Sequence, residues 1–174
     1  HWSEPHDLWT SRAPAKYKDL VPQVREVKGR RKWVVNGDIP LAGDSAASAI
    51  LPDGEKMLGL QFLKHDVDMV HAASYDCDAR LELMDLMGVS HGIVYPNVGG
   101  FGNQNFLKVD DAALRIACVE IYNDWMNELQ QRSGGSILPM AAVPPLDAVF
   151  GGLRAFLTGS FTARASVFSL ATKA

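Results

Sequence analysis

The sequence predicts an α/β fold, and three observations lead there. Residues 76–87 read as a helix that runs directly into the apolar stretch Val89–Tyr95, which has the form of a parallel strand buried on both faces. Residues 110–132 read as a longer helix followed by a second such stretch, Ile137–Val143. Ahead of both, residues 24–39 alternate in polarity, as an antiparallel hairpin or meander does. A helix followed at once by a buried strand is half of a βαβ unit.

Taken in order, residues 7–22 set Leu8, Trp9, Tyr17, Leu20 and Val21 between Pro5, Pro14 and Pro22, which suits a short helical arm pinned by prolines. Val24–Val27 and Lys32–Val35 flank a Lys-Gly-Arg turn, and Asn36-Gly37 makes a second turn before Ile39, so a hairpin or three-stranded meander is expected as an insertion. Leu41–Gly59 is small and polar without a sustained period and reads as a long irregular loop. Residues 59–70 are mixed in period.

The run His65-Asp66-Val67-Asp68-Met69-Val70-His71 is the densest group of ligand-type residues, but its two histidines stand six apart, which is no usual metal spacing. It reads as a polar loop rim, with His71 the member expected to face a pocket. Asp76–Met87 is helical because acidic residues open it, Ala79, Leu83, Met84, Leu86 and Met87 recur at helical intervals, and Gly88 ends it. The loop Gly99–Gln104 lacks the Gly-Lys-Ser/Thr of a phosphate loop and the third small residue of a dinucleotide fingerprint, so it reads as a flexible βα loop. Asp110 or Asp111 caps the long helix, whose stripe is Leu114, Ala117, Cys118, Ile121, Tyr122, Trp125 and Leu129. Core packing is the reading for Tyr122 and Trp125. Ser133-Gly134-Gly135 stops that helix, Pro144-Pro145 ends the next strand, and a further helix starts at Leu146.

Composition narrows the function classes. With 174 residues, 47% hydrophobic and 21% charged, the chain can bury one core of ordinary size. A net charge of −3 gives no electrostatic footprint for nucleic acid, and Arg30-Arg31-Lys32 reads as a solvated hairpin tip. Cys77 and Cys118 lack metal spacing and read as buried free thiols, which suits a reducing, cytoplasmic setting. No apolar run approaches the ~20 residues of a membrane span, and a signal peptide ahead of residue 1 stays open.

The opening His1-Trp2-Ser3-Glu4-Pro5-His6-Asp7-Leu8-Trp9 puts an imidazole and a carboxylate within a few residues, with a Leu-Trp anchor behind them. Together with Asp7–Arg12, Pro14–Tyr17, Lys32–Gly37, Tyr75-Asp76, Met84–Val89, Val94–Pro96, Tyr122–Trp125 and Pro139–Pro144, in that order, it resembles the amidohydrolase-related (amidohydrolase family 2) superfamily of metal-dependent hydrolases and decarboxylases. The likeness leans to the aminocarboxymuconate-semialdehyde decarboxylase-like branch and covers roughly the first nine-tenths of the chain. It implies an incomplete TIM (β/α)8 barrel with the hairpin as an N-terminal insertion. Such a barrel usually takes about 250 residues, so an amino-terminal fragment is expected. Residues 1–72 would be arm, hairpin and loop, 73–157 the βα units, and 158–174 an aberrant or disordered tail.

The resemblance also implies a divalent metal, zinc first, with manganese or iron as alternatives. His1 would be one ligand, and the rest would lie outside the fragment. In the barrel reading the strand ending at Pro96 delivers Tyr95 and Asn97 to the catalytic face, while His91 lies at the opposite end. The family often has His-x-His where this chain has Ser3 then Glu4, which leaves open whether Glu4 touches the metal or lines the substrate pocket with His71, Tyr95 and Asn97. No catalytic residue is assigned within the fragment. The expected activity is hydrolysis of a C–N or C–O bond by metal-activated water, or non-oxidative removal of a carboxylate, on a small molecule, a carboxylic acid among the candidates. A homo-oligomer is expected at full length, with no nucleic acid or membrane partner. The alternative is a non-catalytic truncated product or a small metal-free α/β binding module.

Overall fold

The computed structural model describes residues 1–41, 49–98 and 103–142. Most of the Leu41–Gly59 loop's first half, the glycines of the 99–104 loop, and everything expected from Val143 onward, including the further helix and the tail, lie outside the described residues.

The arm begins with α1, Leu8–Arg12, and continues through a 3-10 turn at Ala15–Tyr17. It turns three apolar side chains inward, Leu8, Trp9 and Tyr17, all buried. Three antiparallel strands follow: β1 (Gln23–Val27), β2 (Arg30–Val35) and β3 (Ile39–Pro40). The β1–β2 turn is built by Lys28 and Gly29 at φ 55° and 75°, the left-handed pair that a two-residue hairpin needs. Asn36 and Gly37 repeat the device before β3, at φ 52° and 94°. The expected meander is therefore present, in the expected place.

The second layer holds the parallel strands. Asp76 caps α2, Cys77–Leu86, by accepting from the Ala79 amide at 2.8 Å. Gly88, at φ 68°, turns the chain toward β4, Gly92–Val94. Asp111 caps α3, Ala112–Arg132, accepting from the Ala113 and Leu114 amides at 2.9 and 3.1 Å. At the far end of α3 the buried Ser133 hydroxyl takes the Ile137 amide at 3.1 Å, tying the helix end to β5, Ile137–Pro139. β4 and β5 pair in parallel, Gly92 opposite Ile137 and Val94 opposite Pro139. A third parallel segment joins on the other edge of β4, where Trp2 bridges Pro96 and donates its amide to the Tyr95 carbonyl at 2.8 Å. The three-segment order is thus residues 1–3, β4, β5.

Several expectations change here. β4 and β5 are buried on one face only: Val94 and Ile137 are buried, whereas Ile93 is 60% exposed, Tyr95 52%, Leu138 36% and Met140 45%. The reason is alternation along the strand. A Cβ on Gly92 would meet the Met84 side chain of α2 at 3.6 Å, so that side of the sheet packs on helix, while among the described residues nothing covers Ile93 and its row. Leu86 and Met87, counted toward the buried stripe of α2, are likewise exposed; Cys77 and Met84 are its buried residues. On α3 the buried set is Leu114, Arg115, Cys118, Val119, Tyr122, Met126 and Leu129, so Val119 and Met126 take the places expected for Ala117, Ile121 and Trp125. Trp125 packs partly buried at the edge of the core, its ring 6.1 Å from that of Tyr122.

The basic hairpin tip is also more than a solvated run. Arg31 pairs with Asp68, Arg30 Nε lies 3.9 Å from Asp66, and His6 Nε2 lies 3.0 Å from Asp68. The acidic members of the 65–71 run thereby fasten that loop to β2. Each such exposed pair is worth little alone. Finally, the irregular 49–59 segment contains a small closure, with Ile50 bridging Lys56 around Gly54.

Candidate functional site

The carboxyl end of β4 is where the candidate residues are placed. His1 reaches it because residues 1–3 run parallel to β4: the Trp2 amide bonds to Tyr95, and the Ser3 amide bonds to the Ser74 carbonyl at 2.8 Å. Alternation then sends the large Trp2 side chain into the core and leaves His1 and Ser3 on the other face. The His1 imidazole is exposed, its Nδ1 3.3 Å from the Pro96 carbonyl and its ring centroid 6.4 Å from that of Tyr95.

Glu4 goes inward. Its residue is only 5% exposed, and its two carboxylate oxygens accept the consecutive backbone amides of Asn97 and Val98, each at 3.1 Å. A buried carboxylate held by two amides is a charge-assisted clamp on the loop that leaves β4. Asn97 is therefore held by its own backbone. Behind the clamp stands the buried Tyr122 of α3, whose hydroxyl has no hydrogen-bond partner among the described residues. Burial, and next the charge of Glu4, push that phenol well above its ordinary value. Glu4 also lines a cavity of about 340 Å³ with Ser3, His6, Asp68, Val70 and Tyr75.

His71 caps the 3-10 turn Ala72–Ser74, its Nδ1 accepting from the Ala73 amide at 3.2 Å. That bond assigns the proton of a neutral ring to Nε2. His71 and His1 both line a second cavity, of about 500 Å³, together with Ile50, Ala73, Ser74 and Arg80. His91 stands apart at the amino end of β4, exposed and bonded to the Ser90 hydroxyl.

Arg80 has no place in the sequence reading. It is the fourth residue of α2, its Nε donates to the Ala73 carbonyl, and its guanidinium lies 5.5 Å from the Trp2 ring centroid. Burial lowers its pKa. A signal existed: a cation near the amino end of a helix opposes the helix dipole and calls for another reason to be there. The two thiols are buried, burial raising the pKa of Cys77 and pushing that of Cys118 up to about 12.

As to a metal, the described residues contain no group of three His, Cys, Asp or Glu side chains arranged to hold one. His1 offers a single imidazole, and the Glu4 oxygens already accept amides. These residues do not by themselves build a metal centre, so no metal-centred step follows from their geometry. No helix among the described residues is long and apolar enough to cross a membrane.

No family model matches the sequence, and none of the curated proteins matches it. Among solved structures the chain is similar to an amidohydrolase from Mycobacterium avium subsp. paratuberculosis K-10, at 19% sequence identity and a TM-score of 0.55, over 91% of this chain and 45% of that one. At that identity the likeness is one of fold. The chain shares the α/β fold of an amidohydrolase, spanning less than half of that protein's length.

Proposed function

We propose that the chain is a section of a metal-dependent enzyme of the amidohydrolase type, an incomplete (β/α)8 barrel in which His1 supplies one ligand of a divalent ion, zinc first. The observation that carries this reading is the position of His1: the first residue of a parallel segment stands exposed at the carboxyl end of β4, beside Tyr95. Active sites of (β/α)8 enzymes lie at that end of the strands. The likeness in fold to part of an amidohydrolase supports the same reading. The remaining ligands would come from outside the described residues, and the ion, when bound, would lower the pKa of water or polarise a substrate oxygen.

The chemistry is hydrolysis of a C–N or C–O bond or, in a relative of the aminocarboxymuconate-semialdehyde decarboxylase-like branch, loss of a carboxylate. Tyr95 and His71 would face the substrate. Glu4 holds the loop in this reading, each of its oxygens accepting one backbone amide. The setting proposed is a cytoplasmic homo-oligomer acting on a small molecule.

The test is metal analysis of a version extended past both ends of the chain as far as the reading frame runs. Stoichiometric divalent ion is expected, and His1→Ala should lower metal content and turnover together. Unchanged metal occupancy in His1→Ala would remove His1 from the ligand set.

A further inference from the structure

We propose that Arg80 anchors a carboxylate in the cavity that it shares with His1 and His71, so that the ligand of this site is a small organic acid. The inference deepens the reading above by naming a substrate class, and it rests on that reading only for what becomes of the bound acid. The binding stands on the cavity alone.

Four observations meet there. The cavity's volume, about 500 Å³, is that of a small-molecule site. Arg80 lines it, half-buried, and among the described residues no carboxylate pairs with it; its bond to the protein is made through Nε, to the Ala73 carbonyl. A half-buried guanidinium gives up part of its hydration, and a ligand carboxylate offsets that loss. The Nε bond and the Trp2 ring fix the guanidinium plane, which leaves the terminal nitrogens as a rigid fork suited to a two-oxygen anion.

The fourth observation is His71. Its Nδ1 is occupied as an acceptor, so a neutral ring brings an N–H donor to the same cavity. Burial lowers the pKa of Arg80, as it does for a cation partly withdrawn from water. A neutral ligand would leave the guanidinium unpaired, so discrimination against amides and esters of the same acid follows.

The test is an NMR titration of the 174-residue chain with acetate and benzoate as probes and benzamide as the neutral isostere of benzoate. Saturable shifts of the Arg80 Nε–H and His71 ring signals are expected with an acid and not with benzamide. Arg80→Gln should weaken acid binding on the order of tenfold or more, and Arg80→Lys, which keeps charge but not the fork, should fall between. Equal binding of benzamide and benzoate, or acid binding unchanged in Arg80→Gln, overturns the proposal. Should Arg80→Gln not fold, the unmodified chain decides: no shift of Arg80 Nε–H at high acetate or benzoate overturns it. The two readings fail separately. Metal occupancy indifferent to His1→Ala removes the enzyme reading and leaves acid binding intact, whereas metal loss in His1→Ala with acid binding indifferent to Arg80 does the reverse.

Discussion

Glu4→Ala is expected to destabilise the fold by about 1–3 kcal/mol from the buried Val98 amide alone, the cost of a buried donor left without a partner, with a smaller addition from the partly exposed Asn97 amide. Two donors are at stake, the amides of Asn97 and Val98, and they belong to the loop that leaves β4 ninety-odd residues away in sequence. Val98 itself is 1% exposed, so water cannot replace the lost acceptor without opening the core. The carboxylate therefore joins the first parallel segment to the loop of its neighbour. Glu4→Gln keeps one acceptor but turns an NH2 toward an amide donor, and about half the effect is expected. Urea unfolding at constant slope measures both. A Glu4→Ala midpoint equal to that of the unmodified chain would mean that the clamp does not form.

Trp9→Ala should cost about 3–5 kcal/mol, the range for removing a large buried aromatic. The expectation does not rest on volume alone. Trp9 is 1% exposed, its Nε1 donates to the Cys118 carbonyl of α3 at 2.8 Å, and its ring meets that of Trp33 on β2 edge-on at 5.5 Å. One side chain thus joins the arm, the meander and the long helix. Trp9→Phe separates the contributions: it keeps most of the ring contact and loses the hydrogen bond, so a cost of about 1–2 kcal/mol is expected. Equal costs for alanine and phenylalanine would show that the hydrogen bond, not packing, holds the arm. By contrast, the exposed Arg12–Glu128 pair, both hydrogen bonds 2.7 Å, joins the same two helices at the surface. Its hydrogen bond to Arg12 holds the Glu128 carboxyl below its ordinary value, so this small contribution is present above the usual carboxylate range and fades as pH falls through it.

What was legible in the sequence was local. Lys28-Gly29 and Asn36-Gly37 announce two left-handed turns, and Asp76, Gly88, Asp111 and Gly134 mark helix ends by chemistry that acts within a few residues. The helix-to-strand order was readable for the same reason, and it sufficed for the parallel pairing of β4 with β5. What was not legible depends on distant partners. Ile93 and Val94 are equally apolar neighbours, yet only Val94 is buried. Periodicity marked a stripe on α3 but not its centre, which lies nearer Val119 and Met126 than Trp125. Asp66 and Asp68 read in sequence as part of a polar loop rim, and what that reading could not supply is their partners, Arg30 and Arg31, thirty-odd residues away. At the site, the expectation for His1 came from the family resemblance, while Arg80 stands out little in sequence because a lone arginine on a helix usually faces solvent.

The role proposed for His1 depends on residues 1–3 lying parallel to β4. Amide hydrogen exchange with NOE measurement on the folded chain tests this most directly. The Trp2 amide should exchange slowly and show close contacts to Tyr95 and Pro96, with Ile93 in contact with Leu138 on the next strand. A rapidly exchanging Trp2 amide without those contacts would contradict the arrangement and take the position of His1 with it.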